Sequence, residues 1–349
     1  MPRAQHQFRR DSVRAALLDG IFIFDNAIHC YDMSDANLRT DRGDARYSRD
    51  LLLAMGAGGR WSGYNDGSIE FKRRWTVEEL YELVFVDAPT DMAMVQVVPI
   101  FDWFKDSFAP VLTQYEMARR YPDRVLFCGG VDPLYQGLAA ALEQLDWQVK
   151  ELGARSIKFY NGHVDRSWRC DDRELAYPLY ERCLELGITV LQFHKGIPFG
   201  LMDLEAMKPN DLQRPARDFP ELDFVVHHLA LPYFEEAVWI AARFPNIYLS
   251  LAANLNFTLI APRAVQQQLG QLLQMVGSEK LCYASDAALS GGPAPYLHAF
   301  MELEIPDDLR DGFGYPQITR RDRENILGLT FSRLMGVDVE AKKNELAAV

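Results

Sequence analysis

Four short apolar runs of this chain each end on a side chain able to bind a metal ion. They are IFIFDNAIHCY with His29 and Tyr31, ITVLQFH with His194, LDFVVHH with His227 and His228, and KLCYASD with Asp286. Imidazole suits zinc and iron, whereas phenolate and carboxylate are hard oxygen donors favouring iron(III) or manganese. Donors at the ends of separate strands meet only if those strands lie side by side and parallel, and in a parallel barrel catalytic groups gather at the C-terminal face. Alternate residues of a strand share a face, so His29 and Tyr31 point the same way, and His227 is turned away from its neighbour His228. One histidine ending a strand is more often a hydrogen-bonded structural residue. Three, with an aspartate, at corresponding ends predict a metal centre.

The elements that must position these groups are legible as eight strand-like runs, at 21–25, 93–100, 124–129, 156–160, 188–193, 222–227, 246–251 and 280–284. Their density of Val, Ile, Leu and Phe fits strands buried on both faces. Helix-sized segments lie between them, and two, PLYQGLAAALEQLDWQVKELG and RELAYPLYERCLELG, stop at a glycine. Eight alternations predict an α/β fold, a (β/α)8 TIM barrel forming a single domain over 1–349. A doubly wound sheet is the runner-up, but no G-x-G-x-x-G follows the first strand. One connection stands out: residues 32–90 separate the first two strands, and connections this long are functional or disordered. Leaving the strand that carries His29, this insertion is expected to act as a lid over the site mouth, with a helix opening at Thr76. A structural elaboration is the alternative.

Composition narrows the function. The 349 residues are 48% hydrophobic and 25% charged, as in an ordinary globular chain. A formal charge of −12 argues against nucleic-acid binding, yet leaves an anionic small substrate open through a local basic cluster. No apolar run approaches about 18 residues, so no membrane helix is expected, and the N-terminus lacks the continuous apolar stretch of a secretory signal. Cys30, Cys128, Cys170, Cys183 and Cys282 form no C-x-x-C pair, which points to reduced thiols and a cytoplasmic setting. Apolar surface on the outer helices could support a homodimer.

Beyond the donors themselves, DFPELDFVVHHLALPYFEEA, FPNIYLSLAA, VGSEKLCYASD and RRDRENILGLTFSRLMGV resemble the amidohydrolase superfamily, in particular its amidohydrolase-related branch of decarboxylases and their relatives. The resemblance spans roughly residues 20–337. It implies that His29, His194 and Asp286 are metal ligands and that His228 is the catalytic or second-metal histidine. Members of that family usually read Asp-x-His-x-His, or Glu-x-His, at the first strand. Here the stretch is Ala27-Ile28-His29-Cys30-Tyr31. Tyr31 is then a ligand, a proton donor or a pocket wall. Lys158, ending the fourth run, stands where binuclear relatives carry a carboxylated lysine; its alternative is a cation holding a substrate carboxylate. His163 is a further metal ligand or an exposed loop residue.

The chain also resembles a TIM-barrel group of non-heme diiron monooxygenases. That likeness implies two iron ions, dioxygen, and a hydrophobic, CoA-linked acid as substrate. Lys72, Arg73 and Arg74, beside Trp75 and Trp61, would then meet CoA phosphates and adenine, or else form a solvated basic turn. The aromatic loop PIFDWFKDSF around Trp103 would hold an acyl group, or pack as an ordinary helix start. The diiron reading is preferred because it accounts for the His-x-Tyr change and the spare donors. The alternative is a decarboxylase or hydrolase holding one Zn2+ or Mn2+, with His228 as acid–base group. A third reading is a barrel that has lost its metal and serves only to bind.

Overall fold

The computed structural model describes Leu18, residues 20–57 and residues 70–348. Eight strands run parallel in sequence order: β1 (Phe24–Ile28), β2 (Met92–Gln96), β3 (Val125–Gly130), β4 (Ser156–Tyr160), β5 (Val190–His194), β6 (Asp223–Val226), β7 (Ile247–Ser250) and β8 (Leu281–Cys282). Helices separate most of them, so the TIM-barrel architecture stands. The ladder from β7 ends after Cys282 because the following backbone turns to β1. Asn26 N donates to Tyr283 O at 3.0 Å, Asp286 N to Ala27 O at 3.0 Å, and His29 N to Ala287 O at 2.7 Å. These bonds close the barrel and set His29 beside Asp286.

Three strand limits differ from the sequence expectation. β1 lies three residues later than 21–25, so His29 follows it directly. β2 stops at Gln96 rather than 100, because Val98 bridges antiparallel to Ala109 and folds the loop back on itself. β8 is shorter than 280–284, since Tyr283 N bonds Ile326 O at 2.7 Å instead of continuing the ladder.

The barrel floor is apolar. Phe24, Met92, Met94, Cys128, Val190 and Cys282 pack with Phe331 and Met335 from the C-terminal segment. That segment approaches β1 so closely that a Cβ at Gly328 would stand 2.1 Å from the Phe22 carbonyl oxygen. Gly328→Ala is therefore expected to destabilise the fold by about 1–3 kcal/mol. Urea denaturation measures this; an unchanged midpoint would show that the segment yields freely. Next along the strands comes a polar layer. Gln192 on β5 reaches across to Asn26 Oδ1 on β1 at 3.0 Å, Asn26 donates to Ser250 Oγ at 3.3 Å, and His227 Nε2 meets Gln192 Oε1 at 2.8 Å. Asn26, Gln192, His227 and Ser250 thus satisfy one another, and the layer is a firm base for what lies beyond it.

The β1–β2 insertion contributes a helix at Ala45–Ala57. Its Ser48 carbonyl lies 2.5 Å from where a Cβ on Gly200 would project, and the Trp103 ring is 2.9 Å from the same point. Gly200 also has φ +55°, so only glycine suits this junction of three loops. All five cysteines are free and buried, and among the described residues no helix is long and apolar enough to cross a membrane.

Candidate metal centre

At the C-terminal ends of the strands the donor groups stand as two facing pairs. In the first, His29 Nε2 is 3.3 Å from Asp286 Oδ1. His29 Nδ1 lies 2.8 Å from the Gln96 carbonyl, which only accepts, so the ring proton sits there and Nε2 is turned toward the carboxylate. Tyr31 lies on the same side, as alternation requires: its ring centroid is 5.0 Å from that of His29, and its hydroxyl donates to Asp286 Oδ1 at 3.5 Å. In the second pair, His228 Nε2 is 3.1 Å from His194 Nδ1. His228 Nδ1 donates to Ala252 O at 3.1 Å, leaving Nε2 bare. His194 Nε2 lies 3.2 Å from Ile197 O and 2.8 Å from Tyr160 Oη, a hydroxyl that can give or accept a proton there. The two ring nitrogens face each other across 3.1 Å. Such a contact is stable only with a proton or a cation between its nitrogens.

Backbone geometry creates the second pair. His228 has φ +60°, followed by Leu229 at +49° and Ala230 at +52°, all in the left-handed region costly for residues other than glycine. This turn swings His228 to His194, while His227 stays in the polar layer below. Asp286 too has φ +58°. Burial pushes the pKa of His194 well below its ordinary value and that of His228 to about 4, so both rings are neutral. Burial acts to raise the Asp286 pKa, but its interactions with His29, His228 and Lys158 outweigh it and hold it low. Neutral imidazoles and an ionised carboxylate are the forms in which these side chains bind metals. The donor chemistry therefore fits a divalent cation. Among the described residues no three His, Cys, Asp or Glu side chains converge closely enough to enclose an ion as they stand, so the arrangement remains two pairs.

Lys158 is buried between β3 and β5, and burial lowers its ammonium to about 7. His163 is elsewhere. Its Nδ1 faces Asp102 Oδ1 at 3.4 Å and its Nε2 faces Asp132 Oδ2 at 3.0 Å, all three side chains fully buried. His163 is thus a buried residue facing two carboxylates and not an exposed loop residue. The basic cluster is also engaged. Lys72 pairs with Asp50 at 3.0 Å, Arg73 with Glu79 at 2.8 Å while lying over Trp75, and Arg74 donates to Thr113 at 3.0 Å. Trp103 is buried against Phe104 and Gly200. Trp61 lies outside the described residues. Three participants escaped the sequence reading. Tyr160 closes β4 beside the noted Lys158, and Asp102 and Asp132 follow β2 and β3; each is a polar residue at a strand end, the same signal that marked the histidines. Phe199 and Phe108 complete an aromatic roof, 5.2 Å from His194 and 4.6 Å from Tyr31 respectively.

The family model described as Amidohydrolase matches residues 77–333. The chain belongs to the amidohydrolase family. The match takes in β2 to β8 of this amidohydrolase-family barrel and begins beyond β1, so His29 and the unusual Tyr31 lie outside it. Similar solved structures include an uncharacterised TIM-barrel protein from Bordetella bronchiseptica, at 20% identity and TM-score 0.62, covering 90% of this chain and 99% of that one. An amidohydrolase from Burkholderia multivorans with bound zinc has 16% identity and TM-score 0.55, covering 91% and 100%. At such identities the likeness establishes the fold. Protein fluG of Emericella nidulans is 33% identical over 96 residues, which is 28% of this chain but only 11% of that protein's length.

Proposed function

We propose that this protein is a metal-dependent hydrolase or decarboxylase of small carboxylic acids, with His29, His194 and Asp286 as ligands to one divalent cation and His228 as the acid–base group. The observation that carries the reading is the double face-to-face pairing of donors at the barrel mouth, at 3.3 Å and 3.1 Å. With His163 committed to Asp102 and Asp132, the remaining set of three histidines and one aspartate suits a single ion better than two irons. The zinc in the Burkholderia amidohydrolase supports the same choice.

A cation here would supply Lewis acidity, polarising a substrate carbonyl or carboxylate. The chain's own residues do the rest. His228, neutral and anchored to Ala252 O, offers Nε2 to take up or return a proton. Lys158, on β4 and within electrostatic reach of Asp286 across the barrel, places a cation for a substrate carboxylate. Tyr31 orients Asp286 through its hydroxyl, and the Phe108–Phe199 roof excludes water from the reacting centre. The test is metal analysis followed by reconstitution with zinc, manganese or iron, and an assay of carboxylic acids for release of carbon dioxide or hydrolytic acid. One ion per chain with turnover under nitrogen supports the proposal. Two irons per chain with dioxygen uptake coupled to substrate would overturn it and restore the oxygenase reading.

A further inference from the structure

Outside the set of metal-centre donors, a groove of about 370 Å3 is lined by Arg214, Arg217, Arg243, Asn210, Phe244 and Asp171, among others. Arg214 and Arg217 belong to the segment leading into β6, Arg243 and Phe244 to the segment leading into β7, and Asp171 and Asn210 to the segments after β4 and β5, so the groove is built from the connections between β4 and β7. Its charge is lopsided. Arg214 comes no nearer to Asp171 than 3.8 Å, and Asp171 already takes a fork from Arg169 at 2.8 Å and 3.2 Å. Arg217 shares Asp218 with Arg173 and with the Tyr177 hydroxyl. For Arg243 no carboxylate lies within ion-pair distance among the described residues; its guanidinium rests 5.6 Å from the Phe244 ring. Four arginines thus share two aspartates and Arg243 has none, in a chain whose net charge is −12.

A guanidinium cannot relieve this crowding by losing its proton, because its pKa exceeds about 12. All three guanidiniums are exposed to water, Arg217 with Asp218 as a partner, and their clustering in one concave surface favours an anion there. Planar donor forks match the oxygens of a phosphate group two at a time, the Asn210 amide adds a neutral donor, and the Phe244 ring forms an apolar wall. The Lys72–Arg74 cluster differs, each member of it having a partner within the fold.

We propose that this groove binds the phosphate group of a small phosphorylated molecule, at a site separate from the metal centre. Calorimetry with the full chain would use pyrophosphate and adenosine monophosphate as probes, with sulfate as control. The expected result is saturable one-to-one binding, with affinity at least about tenfold above sulfate. Arg214→Gln with Arg243→Gln should weaken it by about a hundredfold, at tenfold for each lost charge-assisted contact. Asp286→Asn should leave it unchanged, which separates this groove from anion capture at the metal centre. Equal thermal midpoints for parent and variant would confirm that folding is intact, and Arg217→Gln alone, on the exposed side of the groove, gives a milder second reading. Preference for the nucleotide would mark Phe244 as a base-contacting wall, and equal binding of both probes would mark a plain phosphate site. Binding no tighter than sulfate, or unaffected by the arginine replacements, would overturn the proposal.

Discussion

Asp286→Asn is expected to leave a folded protein without its metal ion and with activity reduced by at least about a thousandfold. Asn keeps the shape of Asp and tolerates the left-handed backbone, φ +58°, better than other residues do, so the fold should persist. What disappears is the negative charge that faces His29 Nε2 at 3.3 Å and receives the Tyr31 hydroxyl. The Lewis acidity of a bound cation is worth several kcal/mol of transition-state stabilisation, and about 4 kcal/mol corresponds to three orders of magnitude in rate. Metal content by elemental analysis and steady-state rates, measured on the same preparation, decide the matter. A variant that retains one ion and the parent rate would remove Asp286 from the ligand set.

The second large effect concerns stability. Replacing His163 by leucine should cost about 3–5 kcal/mol, because it leaves the buried Asp102 and Asp132 carboxylates without their cation. In a chain of this size that corresponds to a fall of about 4–7 °C in Tm. The same group predicts a pH dependence. Burial acts to lower the His163 pKa, but the carboxylates of Asp102 and Asp132 overcome it and raise it to about 9 from 6.5. The folded state therefore holds the proton more tightly than the unfolded chain does. The stabilisation is complete below pH 6.5 and declines as pH rises through about 9. Denaturation of parent and His163→Leu between pH 6 and 9.5 isolates the effect from other groups titrating in that range. The gap between them should narrow as pH increases; a constant gap would mean that His163 is not held as an imidazolium.

His163 also shows where reading along the chain loses its grip. It sits in a loop, YNGH, whose sequence carries no periodicity. Its partners arrive from the loops after β2 and β3, about sixty and thirty residues earlier. Which side chain a loop residue meets is decided by the barrel that brings those loops together. The same applies to Lys72, Arg73 and Arg74: the run of charges is visible in sequence, but its partners Asp50, Glu79 and Thr113 are assigned only once the insertion folds. His228 is a further case, for its left-handed backbone breaks the strand alternation and cannot be foreseen from residue type alone.

Local order, in contrast, was written in the chain. Val, Ile and Phe runs long enough for a strand and buried on both faces, alternating with amphipathic helices, admit few arrangements other than a parallel barrel. Once that barrel exists, residues ending its strands must share one face, which is why His29, His194, His228 and Asp286 were legible as a group. Their pairing was not. His29 meets Asp286 because the barrel closes β1 against the chain beyond β8, and His194 meets His228 because a strained turn redirects the latter. Strand and helix follow from short-range burial patterns that the sequence states directly; contacts across the closure depend on a three-dimensional register that no single segment contains.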